Sequence, residues 1–346
     1  MSPAATTYNP PMAEKPVLLT GGTGFLGRWI LRALLGRGRA VRLLAREPGA
    51  GADLAGPGVE VVRGDVTDRG SLDAACRGAG AVIHAAAAVS AWERDASIFE
   101  RVNVQGLRSC VLAAEGAGAA PFVSVSTIFA LGPTDGITGD ETLPVRADRE
   151  FNTDYERTKT LAEIEARELA ARGHPIVTVY PGILHGPGPI RQANLVTALV
   201  LEAAAGKLPG LPGGGDRRWC FASVEDVAEG TVRALEKAAP GDRFVLGGEN
   251  ATLRELFDLV EAKGGPAVPR KSVPYAALAA AGAAAEMVAR FGGPAPKITR
   301  GAAGMFRHEW AFSSRRAERA LGWKARPLAE GVEALVAHLR AEGHLR

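Results

Sequence analysis

The sequence is poor in the features that mark disulfide-rich, zinc-binding and nucleic-acid-binding proteins. Its 346 residues include three cysteines, Cys76, Cys110 and Cys220, which form no CxxC or CxxH pattern. This spacing argues against a structural zinc site, and we expect no bound metal. An odd number of cysteines in a chain of this length favours a reducing compartment, here the cytoplasm. The 41 basic and 38 acidic residues nearly cancel, which argues against a nucleic-acid partner.

The sequence also has no hydrophobic run long enough to span a membrane, so an integral membrane protein is not expected. Residues 1–14 are polar and contain proline, which predicts a disordered leader and not a signal peptide. The most apolar segment, residues 275–291, is rich in alanine but contains Glu286 and Arg290. We interpret it as a buried or groove-lining helix, with a membrane-surface helix as the alternative.

Short apolar runs alternate with helical patterns over the first half of the chain. Strands are predicted at residues 17–19, 41–45, 59–62, 81–84, 122–126 and 176–180. Helices are predicted at residues 29–35, 71–76, 99–115 and 155–172. This alternation predicts an α/β fold, a Rossmann-type doubly wound parallel sheet with helices on both faces.

The pattern becomes irregular after Pro181, which predicts a smaller and discontinuous C-terminal cap. A helix is expected at residues 194–204 and a last strand at residues 244–246. The predicted organisation is a leader, a dinucleotide-binding domain and a substrate-binding cap. Their ranges are residues 1–14 for the leader, 15–181 with 219–250 for the domain, and 182–218 with 251–346 for the cap.

A glycine-rich turn follows the first predicted strand, with Gly21, Gly24 and Gly27 recurring every third residue. The first glycine permits a tight turn, the second lets backbone amides approach a pyrophosphate, and the third lets the helix pack close to the strand. The N–H groups at the start of that helix would face the phosphates. A glycine-rich hairpin turn is the alternative, but the strand, loop and helix order favours a dinucleotide site.

Arg46 follows the second strand, where NAD enzymes usually have an acidic residue that binds the ribose 2′-hydroxyl. An arginine there would pair with a 2′-phosphate through charge-assisted hydrogen bonds. We therefore expect NADP as the cofactor and regard NAD as the less favoured one. Arg42 is a second candidate for this contact, and a solvated surface arginine at position 46 is the alternative.

Tyr155 and Lys159 lie one helical turn apart, so their side chains share a helix face. A phenol ionises at about pH 10, and a fixed ammonium group beside it lowers that value. Tyr155 could then exchange a proton with a carbonyl or alcohol oxygen. The strand at residues 122–126 leads to the hydroxyls of Ser126 and Thr127, and either of them could bind the same oxygen.

In order and spacing, these motifs resemble the extended short-chain dehydrogenase/reductase family over nearly the whole chain from Val17 onward. The glycine loop matches the TGxxGxxG motif of the family, and Tyr155 with Lys159 matches its catalytic pair. The resemblance implies that Thr127 is the catalytic hydroxyl, with Ser126 as a substitute, and that Asn103 supports the lysine through a bound water. It implies cofactor contacts for Gly21, Thr23, Gly24, Phe25, Leu26, Gly27, Arg46, Asp65, Val66, Ala85, Ala86, Ala87, Tyr155, Lys159, Pro181, Gly182 and Ile183.

The sequence resembles two branches of this family. Residues 21–48 are similar to dihydroflavonol reductases, which use NADP, and residues 310–322 are similar to 3β-hydroxysteroid dehydrogenase-like proteins. Nucleotide-sugar epimerases and dehydratases form the other branch, and Arg217 with Arg218 partly resembles their diphosphate-contacting region. Ile128 and Phe129 stand where dehydratases usually carry an acidic pair, which argues against dehydration.

The expected function is an NADP-dependent interconversion of a ketone and a secondary alcohol on a hydrophobic small molecule. The alternatives are a nucleotide-sugar epimerase with tightly bound NAD and a non-enzymatic NADP-binding sensor. The family also implies a homodimer formed through the helices at residues 99–115 and 155–172. Trp92 and His185 are candidates for the substrate side. The following apolar residues are expected either in a substrate pocket or in the core: Phe129, Leu131, Ile183, Leu184, Leu195, Trp219 and Phe221.

Overall fold

The computed structural model of the protein describes residues 15–190 and 194–345, so the leader predicted at residues 1–14 lies outside the described residues. Within these ranges, a central sheet of seven parallel strands has the order β10-β6-β5-β4-β1-β2-β3. Its strands are β1 Val17–Thr20, β2 Val41–Ala45, β3 Val59–Arg63, β4 Ala81–His84, β5 Phe122–Val125, β6 Ile176–Pro181 and β10 Arg243–Leu246. The order reverses between β1 and β4, which is where doubly wound sheets bind ligands.

Helices cover both faces of the sheet, and the alternation of side chains along each strand decides which face a residue supports. Val17 and Leu19 pack with one set of helices, whereas Leu18 between them packs with the other. The first set is α1 Phe25–Leu35, α7 Val224–Lys237 and α11 Arg315–Leu321. The second set is α2 Arg69–Cys76, α4 Gly106–Gly116 and α5 Asp154–Ala171. The predicted Rossmann-type fold is confirmed.

The helix predicted at residues 99–115 is interrupted. The chain forms a short helix α3 Ser97–Glu100, then a π-helical turn Arg101–Gln105, and then α4. The wider turn contains the buried Asn103, whose amide accepts a hydrogen bond from the Ala88 N–H (2.8 Å) and donates one to the Ala88 carbonyl (3.2 Å). These contacts hold the chain after β4 against the turn. Such turns recur at functional sites.

Two small sheets were missed in the region after Pro181. They have the orders β11-β9-β7 and β12-β8. Their strands are β7 Ile183–His185, β8 Leu211–Pro212, β9 Arg218–Ser223, β11 Asn250–Thr252 and β12 Ser272–Val273. A single residue, Gly182, separates β6 from β7, and a Cβ there would lie 2.6 Å from the Cys220 carbonyl oxygen. The strand β7 is only three residues long, which is too short to show an alternating pattern in the sequence. The predicted division into domains stays a prediction.

The remaining helices pack around these small sheets. They are α6 Leu195–Ala204, α8 Leu253–Ala262, α9 Tyr275–Arg290, α10 Arg300–Met305 and α12 Leu328–Ala341. The alanine-rich α9 is a groove-lining helix and not a buried one, because Ala276 and Ala279 line a cleft and only Gly282 and Ala289 along its length are buried. Phe291, just beyond its end, is 89% exposed. No helix in the described part of the chain has both the length and the apolar content to cross a bilayer.

The apolar residues expected in either a pocket or the core belong mainly to the core. Trp219 and Phe221 on β9 are buried, and so are Leu131 and Ile183. The Trp219 ring stacks on Phe306 with 5.0 Å between ring centroids. Phe129, Leu184 and Leu195 are partly buried and pack against the core clusters. The pocket interpretation is therefore wrong for the buried members of this set.

Two buried histidines predict how stability changes with pH. Desolvation lowers the pKa of His84 to about 3 and that of His185 to about 4, below the ordinary value of 6.5. Below pH 6.5 the unfolded chain therefore binds protons that the folded chain excludes. We expect the free energy of unfolding to fall by about 1.4 kcal/mol per pH unit for each histidine between about pH 6.5 and about pH 4.

Urea unfolding at about pH 7 and about pH 5 measures this loss. A His185→Leu variant should lose less stability on acidification than the parent chain, because one of the two groups is gone. His344→Gln is the matched control, because His344 is exposed near the C-terminus. Equal losses in the parent and in His185→Leu would contradict the assignment to His185.

Candidate active site

The glycine loop has the backbone geometry that its sequence predicts. Gly21 has φ +73°, and a Cβ there would lie 2.6 Å from the Ala85 carbonyl carbon. A Cβ on Gly27 would lie 2.1 Å from the Gly21 carbonyl oxygen, so only glycine lets α1 approach the end of β1 this closely. The Thr20 hydroxyl holds the other side of the turn, 2.9 Å from His84 Nδ1 and 3.2 Å from the Ala86 nitrogen, which donates to it.

The first turn of α1 leaves backbone donors available at this loop. Gly24 is the N-cap and has no side chain to cap the helix. The N–H groups of Phe25, Leu26 and Gly27 lie in the first turn, where a helix provides no backbone acceptor. Together with Thr23, these are the groups that the sequence predicts to bind a pyrophosphate, as the N-terminus of a helix does.

Arg46 comes directly after β2, beside the glycine loop, because Thr20 on β1 pairs with Leu44 on β2. Its side chain is exposed. Arg42, the second candidate for a 2′-phosphate contact, instead binds Glu60 (2.7 Å) and the carbonyl of Ala75 (2.9 Å) near the start of β2. Those contacts occupy Arg42 at the other end of the strand, so Arg46 is the better placed cation.

The other predicted cofactor residues follow the ends of neighbouring strands. Asp65 comes after β3, and its carboxylate accepts hydrogen bonds from the N–H and hydroxyl groups of Thr67, each at 2.8 Å. The next residue, Val66, is buried. The partly buried Ala85, Ala86 and Ala87 directly follow β4. All of these positions follow the C-terminal ends of the parallel strands, the edge at which doubly wound sheets bind ligands.

The segment Pro181, Gly182 and Ile183 lies where β6 passes into β7. The Gly182 N–H donates to the Leu246 carbonyl (3.1 Å), which fixes this segment against β10. Ile183 is buried and pairs with Phe221 on β9. The segment is therefore rigidly held at the same edge of the sheet as the glycine loop.

Tyr155 lies in the first turn of α5, which Thr153 caps by accepting a hydrogen bond from the Glu156 N–H (3.1 Å). The Thr127 side chain lies next to the phenol. Desolvation raises the pKa of Tyr155 to about 12, and the hydrogen bond with Thr127 opposes that rise. The lowering expected from Lys159 is not what the structure shows, because the pKa of Tyr155 rises and desolvation is the largest cause. The phenol is therefore protonated at neutral pH.

Ser126 and Thr127 face different surroundings, as successive residues of an extended segment do. The Thr127 side chain contacts Tyr155 and also accepts a hydrogen bond from the Phe129 N–H (3.3 Å). Ser126 lines a small interior cavity with Lys159. The structure thus brings Thr127, and not Ser126, to the phenol.

Lys159 is buried on α5, with 7% of its surface exposed. Its Nζ donates a hydrogen bond to the Val125 carbonyl (3.0 Å), and desolvation lowers its pKa to about 8. Asn103 lines the same interior cavity as Lys159, and its amide also donates to the Thr158 hydroxyl (3.0 Å). The predicted water between Asn103 and the lysine stays a prediction.

A cleft of about 1250 Å³ opens beside the start of α5. It reaches Thr153 and Asp154, the two residues before Tyr155. Its aromatic lining consists of Trp92, Phe99, Phe151 and Tyr275, and its charged lining includes Arg94, Glu150, Glu286, Arg290, Arg300 and Arg307. Trp92 therefore lines the cleft, as the sequence suggested for a substrate-side aromatic.

Two other sequence candidates have structural roles. His185 is buried against α12, where a Cβ on Gly331 would lie 2.1 Å from the His185 ring. Arg218 pairs with Glu309 (3.1 Å), and this contact holds the pKa of Glu309 at about 2. The substrate role for His185 and the diphosphate role for Arg218 are therefore not supported.

Sequence reasoning missed Arg149, which ties the Thr127 loop to α5. Its guanidinium donates to the Phe129 carbonyl and to the Thr160 hydroxyl, both at 3.0 Å, and it pairs with the fully buried Glu156. Arg149 lies outside the helices and strands, so no helical or strand periodicity in the sequence points to it. Glu163 was also missed, although its position four residues after Lys159 places it on the same helix face.

Comparison with known proteins gives a consistent set of relatives. Residues 17–247 match the profile of the NAD dependent epimerase/dehydratase family. The chain is 34% identical to "Sterol demethylase protein B" of Methylococcus capsulatus over 74% of this chain and 77% of that protein. It is 30% identical to "4-hydroxy-2-methyl-3-oxo-4-farnesyl-3,4-dihydroquinoline-1-oxide ketoreductase" of Stigmatella aurantiaca over 92% of this chain and 94% of that protein. The crystal structure of gox2253 superposes with a TM-score of 0.80 and 31% identity over 96% of this chain and 100% of that one.

Proposed function

The chain belongs to the NAD-dependent epimerase/dehydratase family, and from this premise we propose that it interconverts a ketone and a secondary alcohol on a hydrophobic small molecule with NADP. The observation that carries the proposal is the placement of the Thr127 side chain next to the Tyr155 phenol, near the start of α5 where the cleft opens. It combines a proton donor with a second hydroxyl at the point where a substrate oxygen would bind.

The chain's own residues would handle the proton and the substrate oxygen. The nicotinamide, when bound, supplies or accepts the hydride. In reduction, Tyr155 gives its phenolic proton to the carbonyl oxygen, and Thr127 donates a hydrogen bond to the same oxygen. Lys159 contributes a positive charge that stabilises the tyrosinate left after proton transfer. Asn103 would hold the chain after β4 in place through its two contacts with Ala88.

The cofactor would lie along the glycine loop and the neighbouring strand ends. Residues 21 and 23–27 would hold the pyrophosphate, Asp65 and Val66 the adenine, and Ala85, Ala86 and Ala87 would underlie the cofactor. Pro181, Gly182 and Ile183 would contact the nicotinamide. Arg46 supports NADP over NAD because it is an exposed cation at the end of β2.

Two observations support a hydrophobic substrate. Trp92, Phe99, Phe151 and Tyr275 give the cleft an aromatic lining. The relative from Stigmatella is named for reduction of a farnesylated ring ketone, and the relative from Methylococcus is named for sterol demethylation. A flat apolar molecule with a ring ketone could stack against the aromatic side chains of this cleft.

A substrate screen tests the proposal. Purified protein would be supplied with NADPH and a panel of ring ketones, and oxidation of NADPH would be followed by absorbance. We expect turnover of steroid-like or flavonoid-like ketones. Turnover of nucleotide sugars, with NAD retained through purification, would favour the epimerase alternative. Tight NADPH binding without turnover on either panel would favour a sensor.

Thr127 and Ser126 can be separated by substitution. Thr127→Ser retains a hydroxyl beside Tyr155 and should keep most of the activity, whereas Thr127→Val should lower kcat by roughly 100-fold because one hydrogen bond to the reacting oxygen is lost. Ser126→Ala tests the alternative assignment, and we expect a smaller loss from it than from Thr127→Val because Ser126 lines the interior cavity. A larger loss in Ser126→Ala than in Thr127→Val would reverse the assignment.

The three buried, free cysteines support the cytoplasm as the compartment. The outer faces of α4 and α5 support a homodimer, since Arg108 on α4 and Glu165 on α5 form an exposed ion pair (2.8 Å) that a partner could cover. We therefore propose a cytoplasmic location and a homodimer formed through α4 and α5.

A further inference from the structure

Glu163 is a buried carboxylate on the helix that carries Tyr155 and Lys159. Its residue surface is 1% exposed. One oxygen, Oε1, accepts hydrogen bonds from Arg167 Nε (2.7 Å) and from the Tyr180 hydroxyl (2.5 Å). A guanidinium and a phenol on one oxygen are the partners of an ionised carboxylate.

The second oxygen, Oε2, is buried and has no hydrogen-bond partner among the described residues. A buried carboxylate oxygen without a donor is costly and requires an explanation. Glu163 lines the same small cavity as Lys159. The cavity is therefore lined both by the buried lysine and by the glutamate whose Oε2 lacks a donor.

The cavity has the size and the polarity of a water site. Its volume is about 10 Å³, which is about the space that a single water requires. Besides Lys159 and Glu163, its polar lining comes from His84, Asn103, Ser124 and Ser126. A buried water makes two to four hydrogen bonds, and this lining offers both donors and acceptors.

We propose that Glu163 is a positioning residue for Lys159, and that its Oε2 accepts a hydrogen bond from one water in this cavity, whose oxygen accepts one from the Lys159 ammonium. The proposal rests on the proposed function only in that Lys159 acts beside Tyr155. No bond is made or broken, because the water transmits orientation and charge between two fixed groups. Glu163 would thereby keep Lys159 charged in a site where desolvation opposes the charge.

The surrounding groups support this electrostatic role. Desolvation lowers the pKa of Lys159 to about 8, and Glu163 is the group that raises it. His84 on β4 also lines the cavity and is neutral at neutral pH, because desolvation lowers its pKa to about 3. Tyr180 on β6 stays protonated, because burial raises its pKa well above the ordinary value. Arg167 is partly exposed and shares its charge with solvent.

The test uses the full chain without cofactor, so that it does not depend on turnover. The protein would be labelled with ¹³C at lysine Cε, and the Lys159 resonance, assigned by Lys159→Arg, would be titrated by NMR. We expect a midpoint near pH 8 in the parent protein and a midpoint at least about one pH unit lower in Glu163→Gln, a roughly tenfold loss of proton affinity. Glu165→Gln is the control, because Glu165 lies on the same helix as Glu163 but pairs at the protein surface with Arg108 of α4.

An unchanged Lys159 midpoint in folded Glu163→Gln would overturn the proposal. A high-resolution crystal structure of the parent protein gives a second readout that does not depend on the variant folding. A water within hydrogen-bond distance of both Lys159 Nζ and Glu163 Oε2 is expected, and a cavity without one would also overturn the proposal. If Lys159 responds as expected but no ketone is reduced, the proposed function fails and the Glu163 assignment stands.

Discussion

Tyr155→Phe should lower kcat for ketone reduction by roughly 100- to 10,000-fold while NADPH still binds. The substitution removes the proton donor and leaves the shape of the ring, and positioned proton transfer contributes about this much to a rate. Because desolvation raises the pKa of Tyr155 to about 12, the phenol is protonated at neutral pH. Stopped-flow or steady-state oxidation of NADPH measures the loss of rate, and fluorescence titration measures the binding.

The same protonation state predicts an asymmetry between the two directions of the reaction. Ketone reduction needs the protonated phenol and should be nearly constant across neutral pH. Alcohol oxidation needs the tyrosinate, so its rate should rise with pH because the pKa of Tyr155 lies above neutrality. A Tyr155→Phe protein that reduces ketones at the parental rate would show that another group donates the proton.

Arg46→Ala should weaken NADPH binding by roughly 10- to 100-fold and leave NADH binding nearly unchanged. Hydrogen bonds to charged groups contribute about 1.5–3 kcal/mol, which corresponds to this range of dissociation constants. The expectation follows from the position of Arg46 beside the glycine loop and from the engagement of Arg42 with Glu60. Calorimetric titration of both cofactors gives the two constants.

Arg172→Ala is the matched control for this substitution. Arg172 is an exposed arginine just beyond the end of α5, paired with Glu168 at 3.4 Å, so its loss removes the same charge at a different place. We expect its affinity for NADPH to stay close to the parental value. Equal losses for both cofactors in Arg46→Ala would mean that Arg46 supports the fold of the loop and does not bind a 2′-phosphate.

The parts of the molecule that follow from local pattern were predictable from sequence. The strands β1, β4, β5 and β6 are buried along their whole length, and the glycine spacing reflects steric limits at Gly21 and Gly27 that only glycine satisfies. The Tyr155 and Lys159 pair follows from helical spacing on one element. The predictions succeeded where the sequence pattern and the contacts that explain it lie within the same segment of the chain.

Features set by contacts between distant segments were not predictable. The buried Trp219 contacts Phe306, far along the chain, so the sequence around it cannot distinguish core from pocket. The π-helical turn at Asn103 depends on its contacts with Ala88, and the role of Arg149 depends on three partners in two other segments. The raised pKa of Tyr155 reflects desolvation, which exists only after the chain has packed.

The exposed alanine-rich helix α9 has a consequence for how this protein could diversify. Ala276 and Ala279 on α9 line the cleft, yet neither side chain is part of the buried core. Larger residues at these two positions would reshape the cleft without creating or overfilling an interior space. The glycine loop and the helix that carries Tyr155 lie on other elements and would be unaffected. Substrate range could therefore drift by single mutations on α9, an evolutionary freedom that the cofactor side of the molecule lacks.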